Sequence, residues 1–279
     1  MFPLGIGMSI ALLCLFATPL FAQQQGPQAS ARRISSPDGK VTVDFDVSAA
    51  GSPTYAVRFN GQPLLQTSHL GLIRDDCDFS KSLTLLSQTG PTPVTDHYEM
   101  LTAKRRDNTY RGTRTVFHLQ ADDGQKVDII FQLSNDGVAF RYDFPETSVT
   151  LRTITEEVTS FHFLPGTTAW LQPMQVAKSG YESSNPAYEE YYAKGIPVGT
   201  PSTLGAGWVF PALFHCGDAW IVLTESALGR NYCGARLRDR SPDGEYSIGF
   251  PDPREKRGDG PVNPQSVLPW LSPWRIIAI

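Results

Sequence analysis

The sequence has little positive charge and none of the common nucleotide-binding motifs. Lys and Arg number 24 against 28 Asp and Glu, and only 19% of residues are charged, for a net charge of −4. No basic surface of the kind that binds nucleic acid is expected from this balance. No glycine-rich phosphate loop, Walker motif or Gly-x-Ser-x-Gly motif is present. The sequence therefore gives no sign of nucleotide chemistry or of a serine nucleophile.

Cysteine is also scarce, with four residues in 279. Cys14 falls in the apolar N-terminal run, which leaves Cys77, Cys216 and Cys233, an odd number that cannot pair completely. No C-x-x-C spacing suggests a zinc site. We expect the three to be buried small hydrophobic residues, with a Cys216–Cys233 disulfide as the alternative.

The N-terminus predicts a secretory leader. Residues 4–21 are almost wholly apolar, and a Gln-rich polar segment follows Ala22. We interpret residues 1–22 as a cleaved signal peptide and residues 23–33 as a flexible lead-in, with an uncleaved anchor as the alternative. The protein is therefore expected to be secreted or periplasmic, without a stable membrane anchor.

The remaining sequence predicts an all-β fold. Val41, Val43 and Phe45 alternate with polar residues, the period of a strand with one buried face. Asn60-Gly61 marks a hairpin turn, and 24 Gly and 22 Pro supply frequent turns. Further strands are predicted over residues 55–59, 113–120, 126–133, 138–142, 208–215, 219–224, 232–237 and 246–250. Short strands at this spacing, with no confident helix, indicate a large antiparallel β-sandwich.

Residues 165–205 are predicted to form a long irregular connection rich in Pro, Gly and aromatic residues. Connections of this length are usually functional or disordered, and the aromatic content disfavours disorder. Within it, Glu189 and Glu190 lie among Tyr188, Tyr191 and Tyr192. Carboxylate oxygens suit calcium and tyrosine rings suit sugar faces. An exposed loop with solvated acids is the alternative.

Other acids and histidines could carry chemistry, but the sequence does not bring any of them together. Glycosidases commonly use two carboxylates across the scissile bond. The candidate acids are Glu156, Glu157, Glu225, Asp252 and Glu255. We expect most of them to be surface charges, with Glu225 at the rim of an apolar strand. The histidines, expected to be structural, are His69, His97, His118, His162 and His215.

Several segments together resemble the N-terminal domain of glycoside hydrolase family 97. They are Ser36-Pro37-Asp38-Gly39-Lys40-Val41, Tyr55-Ala56-Val57-Arg58-Phe59-Asn60-Gly61, Asn135-Asp136-Gly137-Val138-Ala139-Phe140-Arg141-Tyr142, residues 185–192, residues 212–225, Phe250-Pro251-Asp252-Pro253 and Ser272-Pro273-Trp274-Arg275-Ile276-Ile277. Each segment is weak alone, but their order and their spread over residues 34–279 make the resemblance specific.

The resemblance implies a role in hydrolysis of α-linked oligosaccharides. Family members are calcium-dependent exo-α-glycosidases, mainly α-glucosidases and α-galactosidases. A large β-sandwich, a super-sandwich similar to galactose mutarotase, precedes a (β/α)8 catalytic barrel and a small C-terminal β domain. The barrel holds the catalytic carboxylates and most calcium ligands. One calcium ligand comes from the N-terminal domain, in a Tyr-Glu-x-x-Tyr stretch. That stretch nominates Glu189 here, with Glu190 as the alternative.

The resemblance also predicts what this chain does not do alone. Residues 34–279 are interpreted as the β-sandwich, which ends where the barrel of the same parent chain would begin. No catalytic residue is assigned, and the isolated chain is expected to be inactive. We expect residues 276–279 to form an unpaired edge strand. Two other hypotheses remain: a free-standing sugar-binding sandwich that uses the Trp170–Trp208 region as a stacking platform, and a mutarotase-like enzyme, which needs a paired His and carboxylate.

Overall fold

The structure, a computed structural model, describes residues 1, 31–177, 190–256 and 260–279. All but the first residue of the predicted signal peptide, most of the lead-in and Glu189 lie outside the described residues. Within the described part of the chain, no helix is long and apolar enough to cross a membrane.

Strands account for almost all of the regular structure in these ranges. In chain order they are β1 (Arg32–Ser35), β2 (Val41–Val47), β3 (Pro53–Phe59), β4 (Gln62–His69), β5 (Leu72–Arg74), β6 (Cys77–Asp78), β7 (Leu83–Glu99), β8 (Asp107–Ala121), β9 (Lys126–Ser134), β10 (Gly137–Glu157), β11 (Ser160–His162), β12 (Thr168–Leu171), β13 (Pro173–Gln175), β14 (Ala193–Pro197), β15 (Gly205–Trp208), β16 (Ala212–Cys216), β17 (Ala219–Ser226), β18 (Arg236–Leu237), β19 (Glu245–Gly249), β20 (Gln265–Leu271) and β21 (Trp274–Ala278). Short 3-10 turns occupy Pro242–Gly244 and Pro253–Glu255.

The strands form two layers of antiparallel sheet. The large sheet runs β14-β12-β16-β17-β21-β10-β9-β8-β7, with β20 and β5 pairing along the long strand β10, and β6 beside β5. Two smaller sheets, β1-β2-β3-β4 and β11-β19-β18-β15-β13, form the facing layer. The bridge between Leu65 and Phe163 links these two sheets at one point. The all-β sandwich predicted from the sequence is confirmed.

Aromatic residues fill the space between the layers. Phe45 of the facing layer stacks on Phe117 of the large sheet with ring centroids 3.9 Å apart. Farther along, Phe163 stacks on Phe214 at 4.0 Å. Phe45, Phe117 and Phe214 occupy inward positions of their strands, and Phe163 directly follows β11. Burial of apolar side chains such as these is the main driving force for folding.

The last strand occupies a different place from the one predicted. β21 pairs with β10 through Ala139 and Ile276 on one side and with β17 through Leu223 and Ile277 on the other. The expectation of an unpaired edge strand over residues 276–279 is therefore wrong. Apolar residues such as Ile277, which is fully buried, are suited to a central strand whose inner face packs on the core.

Local predictions of strand bounds were wrong in three places. The long connection over residues 165–205 contains three strands, β12, β13 and β14, in its described parts. The predicted strand 208–215 is split in two, because Pro211 cannot donate a ladder hydrogen bond. Of the predicted strand 232–237, only Arg236–Leu237 pairs, with β15 and β19.

Candidate functional site

Glu190, the described member of the predicted calcium-binding pair, lies at the edge of the large sheet. It precedes β14, the edge strand, which pairs with β12 through Leu171 and Ala193. The Nε2 amide of Gln175, at the end of β13, donates a hydrogen bond to Glu190 Oε1. Glu190 is half-buried. The contact engages Oε1 and orients the Glu190 carboxylate.

An almost buried ion pair supports the strand that carries Gln175. Arg236 Nη1 lies 2.7 Å from Glu255 Oε1 and 2.9 Å from the sulfur of Met174, the buried neighbour of Gln175. Glu255 Oε1 also accepts from the backbone N–H of Asp252 at 2.9 Å. Glu255 is therefore occupied by structural contacts. The Asp252 side chain is likewise engaged, because it caps the 3-10 turn and pairs with Arg254.

Aromatic rings gather on the outer face of the same end of the sheet. Trp170 of β12 and Trp220 of β17 lie on either side of β16, and their ring centroids are 4.9 Å apart. His215 of β16 stacks on Trp220 at 4.4 Å with an interplanar angle of 24°. Trp208, at the far end of the region expected to form a stacking platform, exposes only 1% of its surface and cannot stack on a ligand. Trp220, which is 48% exposed, is the ring beside Trp170 that can stack on a ligand.

Two of the candidate acids meet in the interior, on one guanidinium group. Arg275 of β21 donates to Glu157 through Nε at 2.8 Å and through Nη2 at 2.5 Å, and to Glu225 through Nη1. Tyr232 donates its hydroxyl to Glu157 at 3.2 Å. Arg275 and Glu157 each expose 1% of their side chains. Glu157 is therefore not one of the surface charges that were expected to make up most of the candidate acids.

The electrostatics of this cluster are those of a structural ion pair. Burial raises the pKa of Glu225, although Arg275 opposes the shift. Burial alone would lower the pKa of Arg275, but the adjacent Glu157 carboxylate reverses this and raises it. Burial also raises the pKa of Cys233 to about 12, so its thiol stays protonated and unreactive. The two carboxylates face a shared cation, whereas glycosidase carboxylates flank an open site.

The remaining candidates have structural partners. Glu156 pairs with Arg238 at 2.5 Å on the surface. The histidine partners are Glu245 for His69, Thr109 for His97, Thr89 and Asp128 for His118, Gln66 for His162 and Trp220 for His215. His118 and Asp128 contact each other directly at 2.8 Å, a pairing the sequence did not reveal. Cys77, Cys216 and Cys233 are free thiols.

The donor chemistry at Glu190 fits calcium, but the number of donors does not complete a site. Calcium takes about six to eight oxygen ligands. In the part of the chain that the structure describes, no group of three or more His, Cys, Asp or Glu side chains could hold a metal ion. A calcium ion at Glu190 would therefore need ligands from outside the described residues.

Comparison with known proteins assigns the fold just described to a protein family. The family model "Glycosyl-hydrolase 97 N-terminal" matches residues 34–279. The chain belongs to this family. The match covers nearly the whole of both sheet layers, so the resemblance predicted from scattered segments is confirmed.

Relatives of this glycosyl-hydrolase 97 N-terminal domain are longer proteins. A probable retaining alpha-galactosidase of Streptomyces bingchenggensis (strain BCW-1) is 27% identical over 278 residues, which is 97% of this chain and 38% of that protein. The crystal structure of a beta-arabinopyranosidase has a TM-score of 0.83 and 34% identity, covering 88% of this chain and 40% of that one. The chain thus spans about two fifths of the length of these relatives.

More distant structures share the fold. A glycoside hydrolase family 97 enzyme from Pseudoalteromonas sp. strain K8 in complex with panose has a TM-score of 0.71 at 20% identity, covering 88% of this chain and 35% of that one. A complex of an enzyme from the same strain with acarbose has a TM-score of 0.68 at 19% identity. At these identities the likeness shows the fold alone.

Sequence reasoning missed Arg275 and Trp220. A charged residue inside the apolar run Trp274-Arg275-Ile276-Ile277 is a signal that a buried acid partner exists, but its partners lie 50 and 118 residues away. Trp220 sits on an otherwise apolar strand, where burial is the default expectation. Its exposure became visible only with the order of the strands.

Proposed function

We propose that this chain acts as the N-terminal domain of an exo-α-glycosidase, packing beside a (β/α)8 barrel of the same protein and shaping its substrate cleft. The family match over residues 34–279 carries this proposal. The names of the two relatives with the highest identities given above, an alpha-galactosidase and an arabinopyranosidase, support a glycoside as the substrate. We therefore favour α-galactosides first and α-glucosides second.

Within this function, one calcium ligand comes from the Glu189-Glu190 pair. Glu190 lies at the sheet edge with one oxygen held by Gln175, which orients its carboxylate and supports a ligand position at this edge. Glu189 remains the first choice and Glu190 the alternative. The described residues are too few in donors for an independent site, so the metal would be shared with the barrel. When bound, calcium would supply positive charge that polarises the substrate.

Matched substitutions test the shared calcium site in the longer protein that carries the barrel. Glu189→Gln keeps the size of the side chain but removes a charge, so weaker calcium binding by calorimetric titration and lower hydrolysis of nitrophenyl α-galactosides are expected. Glu156→Gln, which breaks only a surface pair, is the control and should change neither. The 279-residue chain alone should hydrolyse neither α-galactosides nor α-glucosides.

The outcomes separate the two assignments. If Glu190→Gln inactivates the protein and Glu189→Gln does not, the ligand is Glu190 and the shared site stands. If neither change affects calcium affinity, the calcium proposal is wrong. Turnover by the isolated chain that a point change in it abolishes would contradict the domain role.

A further inference from the structure

Three ring side chains pack against one another on the outer face of the large sheet and form a cluster, here named the ring platform: Trp170, His215 and Trp220. Antiparallel neighbours in register share a face of the sheet, and His215 is paired with Trp220. Trp170 reaches across β16 to the same ring, at 4.9 Å. Trp170 and His215 therefore both pack against the Trp220 ring, and Trp220 remains 48% exposed.

Within the described residues, the edge strand β14 carries a glycine bulge beside Trp170. The pairing of β12 with β14 shifts between Ala169 and Trp170, and Gly195 is the extra residue on β14. Gly195 adopts a φ of +65°, and a Cβ added there would lie 3.8 Å from the Trp170 ring. Glycine at this bulge therefore adds no Cβ beside the Trp170 ring, and the residue of β14 paired with Trp170 is Lys194.

Polar groups border the rings in the way that sugar recognition requires. Lys194, exposed, pairs in register with Trp170, so its ammonium group extends from the same face. Lys194 lies four residues after Glu190, a separation of at most about 14 Å along an extended strand. An exposed indole ring beside a charged side chain matches a pyranose ring, which has apolar C–H faces and a polar rim. A protein interface would instead favour a larger apolar surface depleted of charge.

We propose that the ring platform binds a pyranose ring of an α-linked oligosaccharide by stacking on the exposed Trp220, with the inclined Trp170 ring beside it and Lys194 donating to sugar hydroxyls. This inference rests on the proposed carbohydrate-active function and names a substrate-contacting surface of this domain. It does not depend on Glu189 or on calcium.

Indole N–H resonances of the 279-residue chain test the platform directly. The five tryptophans include Trp208 and Trp270, which are buried. On titration with maltotriose, and separately with an α-linked galactose disaccharide, the indole signals of Trp170 and Trp220 should shift together while those of Trp208 and Trp270 stay fixed. The acyclic alditol glucitol, which has no ring face, should shift none.

Substitutions complete the test. Trp220→Ala should weaken the affinity about tenfold, the upper range for one aromatic contact, whereas Trp220→Phe should keep most of it. Trp274→Phe, on the same sheet under Arg141, is the matched control and should leave affinity unchanged. Trp220 is exposed, so its replacement should not unfold the domain.

The outcomes are distinguishable from those of the proposed function. If neither sugar shifts the Trp170 and Trp220 signals up to the solubility limit, the platform is overturned. The same follows if Trp220→Ala leaves the sugar shifts intact. If the shifts occur but the barrel-containing protein hydrolyses no α-glycoside, the platform stands and the hydrolase function fails.

Discussion

The buried Arg275 side chain is the residue whose replacement we expect to be most costly. Its guanidinium forms ion pairs with Glu157 and Glu225, and its side chain is almost completely buried. Arg275→Met would leave two buried carboxylates without a cation, and breaking such a pair costs about 3–5 kcal/mol. Denaturant unfolding of the chain measures this loss in the free energy of unfolding.

A surface pair supplies the control for that measurement. Arg33 pairs with Asp44 at 2.6 Å, but Arg33 exposes 61% of its side chain. Arg33→Met should cost no more than about 1 kcal/mol, because solvent screens an exposed pair. Equal losses in the two variants would contradict the importance we assign to burial around Arg275.

Glu225 should give the domain a pH dependence of opposite sign to that of most carboxylates. Burial raises its pKa above the ordinary 4.5, so between that value and the raised pKa the folded chain binds more protons than the unfolded chain. Its contribution to the free energy of unfolding therefore falls as pH rises through this window. The free energy of unfolding of Glu225→Gln, relative to that of the wild type, should rise as pH increases from 4.5 through the raised pKa.

Asp252 provides the comparison, because hydrogen bonds from Arg254 lower its pKa to about 2. Its stabilisation is complete above the ordinary 3.8 and is lost only as pH falls through about 2. The difference in the free energy of unfolding between Asp252→Asn and the wild type should hence not vary with pH over the window in which that of Glu225→Gln does. A flat profile for both variants would show that Glu225 titrates normally.

At the scale of elements, the sheet β11-β19-β18-β15-β13 depends on a close backbone approach between β15 and β18. Gly207 of β15 has a φ of +102°, and a Cβ there would overlap the carbonyl oxygen of Leu237 on β18. Gly39, with a φ of +74°, has nothing within 4 Å of the same position. In both alanine variants the positive φ lowers the free energy of unfolding. Only Gly207→Ala adds a steric clash, which should lower it by about 1–3 kcal/mol more. Thermal unfolding of the two variants tests this, and equal melting temperatures would contradict it.

At the scale of the whole molecule, exposed apolar side chains on adjacent strands predict self-association. Val149 and Leu151 of β10 are 94% and 56% exposed, and Val267 of β20 is 46% exposed. Apolar patches on a protein surface favour association. Sedimentation of the chain should show oligomers at high concentration, and replacing these three residues with serine should shift it toward monomer.

The control for this experiment changes polar residues on the same strand. Thr147, Thr150 and Thr155 lie on β10 and are exposed. Their replacement by serine removes methyl groups but no large apolar side chain, so sedimentation should match that of the wild type. A monodisperse wild-type monomer at high concentration would refute the prediction.

The sequence by itself determined the architecture because strand periodicity is a local property. Alternation at Val41, Val43 and Phe45 fixes which side chains face the core, and Asn60 with Gly61 fixes a hairpin. These patterns, with segments spread over residues 34–279, were enough to predict the sandwich and the family. The secretory leader and the calcium ligand Glu189 stay predictions, since both lie outside the described residues.

Only the tertiary structure decided which side chains meet. Arg275 finds Glu157 across 118 residues because β21 inserts beside β10, and no local pattern encodes that insertion. Trp220, rather than Trp208, faces solvent beside Trp170 because β12 and β17 flank β16 in the same sheet. Periodicity determines the face of a strand on which a residue lies, whereas its neighbours depend on the order of strands, which long-range packing sets.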